Sequence, residues 1–255
     1  MGADRCPMGT VLESGTTMPA CLAAIAATAR PVPQRTRGGL HGRVARPGLA
    51  LLLALSLVGV GGVAPAEAAT GTATIREVQQ RLTDLGYPVG KVDGIDGPRT
   101  RQGLCAWRRL NGRTASRDRL ASGELAAIRK TTALPTAPTG RGVTIDKTCQ
   151  TVFYRTDGRW ARVSITSTGT AGLPRNGEFR IQRVKAGWHT STLYPAPTPN
   201  MYNPMYFDGA VALHGSNSVP AAPASKGCAR LTPKDADYLF ARLKVGDPVK
   251  VIGRY

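Results

Sequence analysis

The chain has 255 residues and carries 34 Lys and Arg against 16 Asp and Glu, a net charge of +18. That length accommodates two small domains and a targeting segment. The basic residues are scattered, no Lys/Arg run interleaves with aromatics, and only 5% of residues are aromatic. A nucleic-acid partner is therefore not expected, and the charge suits anionic polymers in general.

Residues 49–64 form an apolar run preceded by Arg43 and Arg46 and followed by Ala66-Glu67-Ala68. The run is short for a spanning helix and has the flanks of a secretory signal, so cleavage is expected after Ala68. A retained membrane anchor is the alternative. No cysteine follows the run and no Arg-Arg pair precedes it, which points to the general export route rather than a lipoprotein or twin-arginine route. Residues 1–42 are expected to carry no fold, with translation beginning near Val44 as one explanation of their presence.

Removal of residues 1–68 leaves Cys105, Cys149 and Cys228. In an exported chain three cysteines imply one disulfide and one free thiol. Cys228 lies among activating residues, so Cys105–Cys149 is the expected pair. Only His189 and His214 remain, which leaves a His-rich zinc site hard to build; no metal or cofactor is expected.

From Thr74 to Lys130 the pattern is helical. Ile75, Val78, Leu82 and Leu85 share one face that ends at Gly86. A turn-rich loop follows, then a helix opening at Pro98 with Leu104, Trp107 and Leu110, and a third near Ser122 to Lys130. The text Val-Gln-Gln-Arg-Leu…Leu-Gly-Tyr…Val-Asp-Gly…Gly-Pro-Arg-Thr, with Leu82, Gly86, Tyr87, Asp93, Gly94, Gly97 and Thr100, resembles the three-helix peptidoglycan-binding domain. The resemblance implies an all-α domain over 69–130 that binds peptidoglycan; a helical spacer is the alternative. Where that family ends its second helix in Phe-Gln, this chain has Trp107-Arg108. Residues 131–140 read as an extended Pro/Thr linker.

Strands dominate from Arg141 onward: Val143–Ile145, Thr151–Tyr154, Ala161–Ile165 after an Asp157-Gly158 hairpin, Phe179–Val184, and Ala210–Leu213. Residues 187–204 read as a Pro-rich, lid-like loop carrying His189, a competing base. Thr232 caps a helix with Ala236, Leu239, Phe240 and Leu243 on one face. Pro248–Ile252 closes as an edge strand.

The chemistry concentrates between Leu213 and Thr232. His214 ends an apolar run, and Cys228 sits in Ser-Lys-Gly-Cys-Ala-Arg ahead of the predicted helix. A thiol with a reference pKa near 8.5 needs a base, a cation or a helix N-terminus to act as a nucleophile. His214, Lys226 with Arg230, and the helix near Pro233 are the candidates.

His-Gly-Ser-Asn followed by Ser-x-Gly-Cys-x-Arg resembles the active-site signature of the L,D-transpeptidases, which cross-link bacterial peptidoglycan. Ser167-Thr168-Gly169, Pro174, Gly177-Glu178-Phe179 and Met205-Tyr206-Phe207 also look like family landmarks. The resemblance covers residues 141–255 and implies a mostly-β sandwich with one helix.

By that resemblance Cys228 is the nucleophile, His214 the proton donor and acceptor, and the Gly215 carbonyl the group that orients His214. Backbone N–H groups around Gly227-Cys228 form the oxyanion hole, with Ser225, Lys226 and Arg230 beside the substrate. Lys226 stands where the family usually has a second histidine. It lowers the Cys228 pKa through its charge, or helps hold a stem carboxylate, or is a solvated turn residue. Arg230 either binds carboxylate or pairs with Asp235 or Asp237. The implied partner is peptidoglycan, as donor and acceptor, acted on by a monomer at the cell wall. An L,D-carboxypeptidase and a non-catalytic wall-binding protein are the other readings.

Overall fold

The computed structural model describes residues 71–191 and 194–255. The expected signal segment and its cleavage site lie outside them. No helix among the described residues is long and apolar enough to cross a membrane.

Three helices come first: α1 (Thr72–Asp84), α2 (Pro98–Leu110) and α3 (Glu124–Lys130). Pro98 occupies the first turn of α2, where its missing N–H costs no hydrogen bond. The loop between α1 and α2 is organised from inside by Gln79, which is 1% exposed. Its amide donates to Asp93 Oδ1 (3.0 Å) and Thr100 Oγ1 (2.9 Å), and its carbonyl accepts from the Gly94 N–H (2.8 Å). Asp93, Gly94 and Thr100 are thus architectural. Arg108, at the position where the related domain differs, is buried against Glu124 with a 2.6 Å contact.

The β-rich part holds two sheets. The first runs in the order β3 (Arg159–Ile165), β2 (Thr151–Thr156), β1 (Gly142–Asp146), β10 (Pro248–Ile252), β4 (Gly177–Arg180). The second runs β5 (Arg183–Val184), β7 (Met201–Asp208), β8 (Val211–Gly215), β9 (Ala229–Leu231), with β6 (Trp188–His189) also paired to β7. Helix α4 (Pro233–Phe240) follows β9, capped by the Thr232 hydroxyl on the Asp235 N–H. Period-two alternation sends Val143, Ile145, Val249 and Val251 of one sheet and Met205, Phe207, Leu213 and Leu231 of the other into a shared core with Leu239.

Strand β2 serves both parts of the molecule. Val152 and Tyr154 face the inter-sheet core, whereas Phe153, with Val163 of β3, packs among Val78, Leu82, Trp107 and Ile128 of the helices. A Cys105–Cys149 disulfide, Cα to Cα 5.3 Å, joins α2 to the β1–β2 turn. The 131–140 segment is docked rather than free: Ala137 is buried and its N–H donates to the Gly158 carbonyl at 2.9 Å.

Four sequence expectations change. Phe179–Val184 is two strands in different sheets, broken where the Ile181 N–H turns to the Asp247 carbonyl. Pro248–Ile252 is interior, parallel to β1, with proline at its first residue where a missing donor is tolerated. The 187–204 loop contains β6 and the start of β7, and Pro204 lies inside the latter. Finally, β9 intervenes between Cys228 and α4, so Cys228 is not at a helix N-terminus.

Candidate active site

Strands β8 and β9 run parallel, with Leu213 opposite Ala229, His214 opposite Arg230 and Gly215 opposite Leu231. Leu213, Ala229 and Leu231 point into the core. Alternation therefore puts Ala212, His214, Arg230 and, one residue ahead of β9, Cys228 on the opposite face. Neighbouring strands lie about 4.8 Å apart, so Cys228 and His214 are diagonal neighbours. Both line one cavity of about 390 Å³, together with Ser225, Lys226, Gly227 and Arg230.

His214 is 4% exposed. Its Nδ1 lies 2.9 Å from the Gly215 carbonyl oxygen. A carbonyl only accepts, so Nδ1 carries the proton and Nε2 keeps its lone pair. Burial pushes the imidazole pKa down to about 4; the Gly215 hydrogen bond opposes this and the nearby Arg230 charge adds to it. The ring is neutral at pH 7. A Cβ on Gly215 would come within 3.0 Å of the Ala236 and Tyr202 side chains, so the carbonyl that orients His214 comes from a residue that must be small.

Cys228 is a partly exposed free thiol resting against Met201, Tyr206 and Ala212. Burial pushes its pKa up, opposed by a backbone hydrogen bond from Ala212 and by Arg230. A raised thiol beside a lowered imidazole makes the resting pair neutral, SH with Nε2, rather than thiolate with imidazolium.

The turn holding the thiol is pinned by Ser225. Its Oγ accepts from the Gly227 N–H (3.0 Å) and donates to the Cys228 carbonyl (2.6 Å). The Gly227 N–H, expected at the oxyanion, is thereby engaged inside the turn. Gly227 has φ +155°, and a Cβ on Gly169 would sit 2.7 Å from the Gly227 Cα. The two backbones touch, and only glycine fits at 169.

Arg230 pairs with neither aspartate considered for it. Asp235 accepts from Arg162 Nε (2.9 Å) and Asp237 from the Asn203 amide (2.9 Å). Arg230 lines the cavity instead, and exposed Lys226 lines it too. His189 is elsewhere: its Nε2 meets the Ala186 carbonyl at 2.8 Å, and it is not among the cavity residues. The segment between β6 and β7 does reach the cavity, through Ser191, Tyr194 and Asn200. Ser216 closes its own turn on Ser218.

Residues 140–251 match the L,D-transpeptidase catalytic domain family, and residues 72–116 match the peptidoglycan binding domain family. A crystal structure of the L,D-transpeptidase from Xylanimonas cellulosilytica is 30% identical, with 70% of this chain and 92% of that chain covered and a TM-score of 0.51. This chain belongs to the L,D-transpeptidase family. An L,D-transpeptidase from Stackebrandtia nassauensis is 23% identical over 71% of this chain and 91% of that one, with a TM-score of 0.45. No curated protein matches the sequence. Within the L,D-transpeptidase domain the landmark Ser167-Thr168-Gly169 is the segment clamping the stretch that leads to Cys228: Ser167 Oγ donates to the Ala222 carbonyl (2.6 Å), and the Thr168 carbonyl accepts from the Ala224 and Ser225 N–H groups.

Proposed function

We propose that this chain is an exported cysteine L,D-transpeptidase that cross-links peptidoglycan stem peptides. The observation that carries the reading is the shared cavity of Cys228 and a neutral, carbonyl-oriented His214 on one face of adjacent parallel strands.

In the acylation step His214 Nε2 takes the Sγ proton as sulfur attacks the amide carbonyl between the L-centre of a third-position diamino acid and the following D-alanine. The C–N bond breaks, the imidazolium returns the proton to the leaving amine, D-alanine departs, and a thioester remains on Cys228. The side-chain amine of a second stem then attacks the thioester. Its proton passes to Nε2 and on to the released thiolate, leaving an amide between two third-position residues. Because neither partner is charged at rest, proton transfer accompanies attack. The Cys228 N–H stabilises the oxyanion, a donor worth about 3 kcal/mol in acyl-transfer sites. Arg230 and Lys226 supply the charge that holds a stem carboxylate.

The apolar run at 49–64 supports delivery across the cytoplasmic membrane to the wall, where the helical domain binds the same polymer. The test is incubation of the mature protein with purified disaccharide tetrapeptides and mass analysis of the products. Dimers cross-linked through third residues, with D-alanine released, support the reading. Tripeptide alone assigns water as the acceptor, and unchanged substrate rejects catalysis.

A further inference from the structure

We propose that Gln150, which lies outside the cavity, is a positioning residue for Cys228, acting through Thr168 and Ser225 from an anchor on the helical domain. The proposal rests on Cys228 being the nucleophile.

Gln150 is wholly buried and adopts φ +54°, a left-handed conformation sparsely populated by residues with a Cβ. It is held there from two sides. The preceding residue, Cys149, is bonded to Cys105 of α2, and the Gln150 carbonyl accepts from Gln102 Nε2 of the same helix at 2.8 Å and from the Thr166 N–H at 2.9 Å.

The side-chain amide is fully committed. Nε2 donates to the Lys147 carbonyl and to Thr168 Oγ1, both at 2.7 Å, and Oε1 accepts from the Thr168 N–H at 2.8 Å. Thr168 passes the constraint on: its carbonyl accepts from the Ala224 and Ser225 N–H groups at 2.9 and 3.1 Å. Ser225 Oγ then bridges the Gly227 N–H and the Cys228 carbonyl.

Every link in this chain is buried or partly buried and within ordinary hydrogen-bond length, so displacement of Gln150 is transmitted rather than absorbed by solvent. The Cys228 N–H and Sγ are the groups that move at its end. A sub-ångström misplacement of a reacting atom is felt in turnover and hardly in binding, because Gln150 does not line the cavity where substrate lies.

The experiment compares kcat and KM for disaccharide tetrapeptide turnover in full-length mature protein, with Tm recorded for each variant. Gln150→Met, similar in size and without hydrogen bonding, is expected to lower kcat by about 10- to 100-fold with KM little changed. In Gln150→Glu the ionised carboxylate cannot donate, whereas the protonated acid restores one donor and one acceptor. Its kcat is therefore expected to recover as pH falls from 8 toward 5, a profile the parent protein does not show.

A lowered Tm with parental kcat and pH profile at temperatures below it would assign Gln150 a purely architectural role and overturn the proposal. Should both variants fail to fold, Thr168→Val decides, since it removes only the hydroxyl that accepts from Gln150: a drop in kcat with KM held supports the proposal, and parental kcat rejects it. Cys228→Ala runs alongside. Turnover in that variant would refute the nucleophile assignment itself, an outcome distinct from a parental kcat in the Gln150 variants.

Discussion

The Nδ1 of His214 meets the carbonyl oxygen of its own neighbour, Gly215, at 2.9 Å, and burial pushes the ring pKa down to about 4. The ring is thus unprotonated across the whole range in which an ordinary histidine, with a pKa near 6.5, would titrate. The acidic limb of kcat/KM for stem-peptide turnover should fall near pH 4 rather than near 6.5. A pH profile between 3.5 and 8 checks this, and a limb at 6.5 would mean that the ring is solvated in the working enzyme.

The same shift makes His214 a stability group. Its folded pKa is below its unfolded one, so between about pH 4 and 6.5 the unfolded chain binds the extra proton. The stability contribution of the neutral ring is complete above 6.5 and is lost as pH falls through that window, by up to about 3 kcal/mol. His214→Asn should flatten the acid side of the stability curve, measured by urea unfolding at pH 7 and pH 4.5.

The disulfide between Cys105 and Cys149 closes a loop of 44 residues' separation and ties α2 to the β1–β2 turn. Replacing both cysteines by serine should cost about 2–5 kcal/mol. Because Phe153 and Val163 carry the helices through a shared apolar core, the loss should appear as one cooperative transition at lower Tm rather than as release of a separately melting helical domain.

Arg108 and Glu124 form a buried pair with side chains 4% and 8% exposed. Removing one partner strands the other, so Glu124→Ala should destabilise by about 3–5 kcal/mol. Disrupting the solvated Lys250–Glu178 pair, whose carboxylate side chain is 79% exposed, should leave unfolding within error of the parent.

What the sequence revealed and what it hid follow from the range of each signal. Pro98, the Leu82 face and the Thr232 cap are local, and the helices begin and end close to where those residues place them. The pairing of Cys105 with Cys149 was legible from parity and from the surroundings of Cys228. Strand β9 was not, because Ala-Arg-Leu is too short to show alternation and becomes a strand only by pairing with β8. Strand β7 was obscured by Pro204. The interior place of Pro248–Ile252 depends on β1 and β4, both distant in sequence. At the site, His214 and Cys228 stood out by residue type and motif. Ser225 stood out too, as part of the Ser-x-Gly-Cys-x-Arg motif, although its place as a bridge between the Gly227 N–H and the Cys228 carbonyl was not legible. The contacts of Gln150 with Thr168 are made across the fold, and no local pattern marks them.

The most direct measurement is intact-protein mass spectrometry of the chain from residue 69 onward, quenched in acid during turnover of a disaccharide tetrapeptide, followed by peptide mapping. The expected result is an adduct of the donor stem less D-alanine, labile to hydroxylamine as a thioester is, located on the peptide carrying Cys228 and missing from Cys228→Ala, which should release no D-alanine. An adduct on any other residue, or D-alanine release at the parental rate by Cys228→Ala, would contradict it.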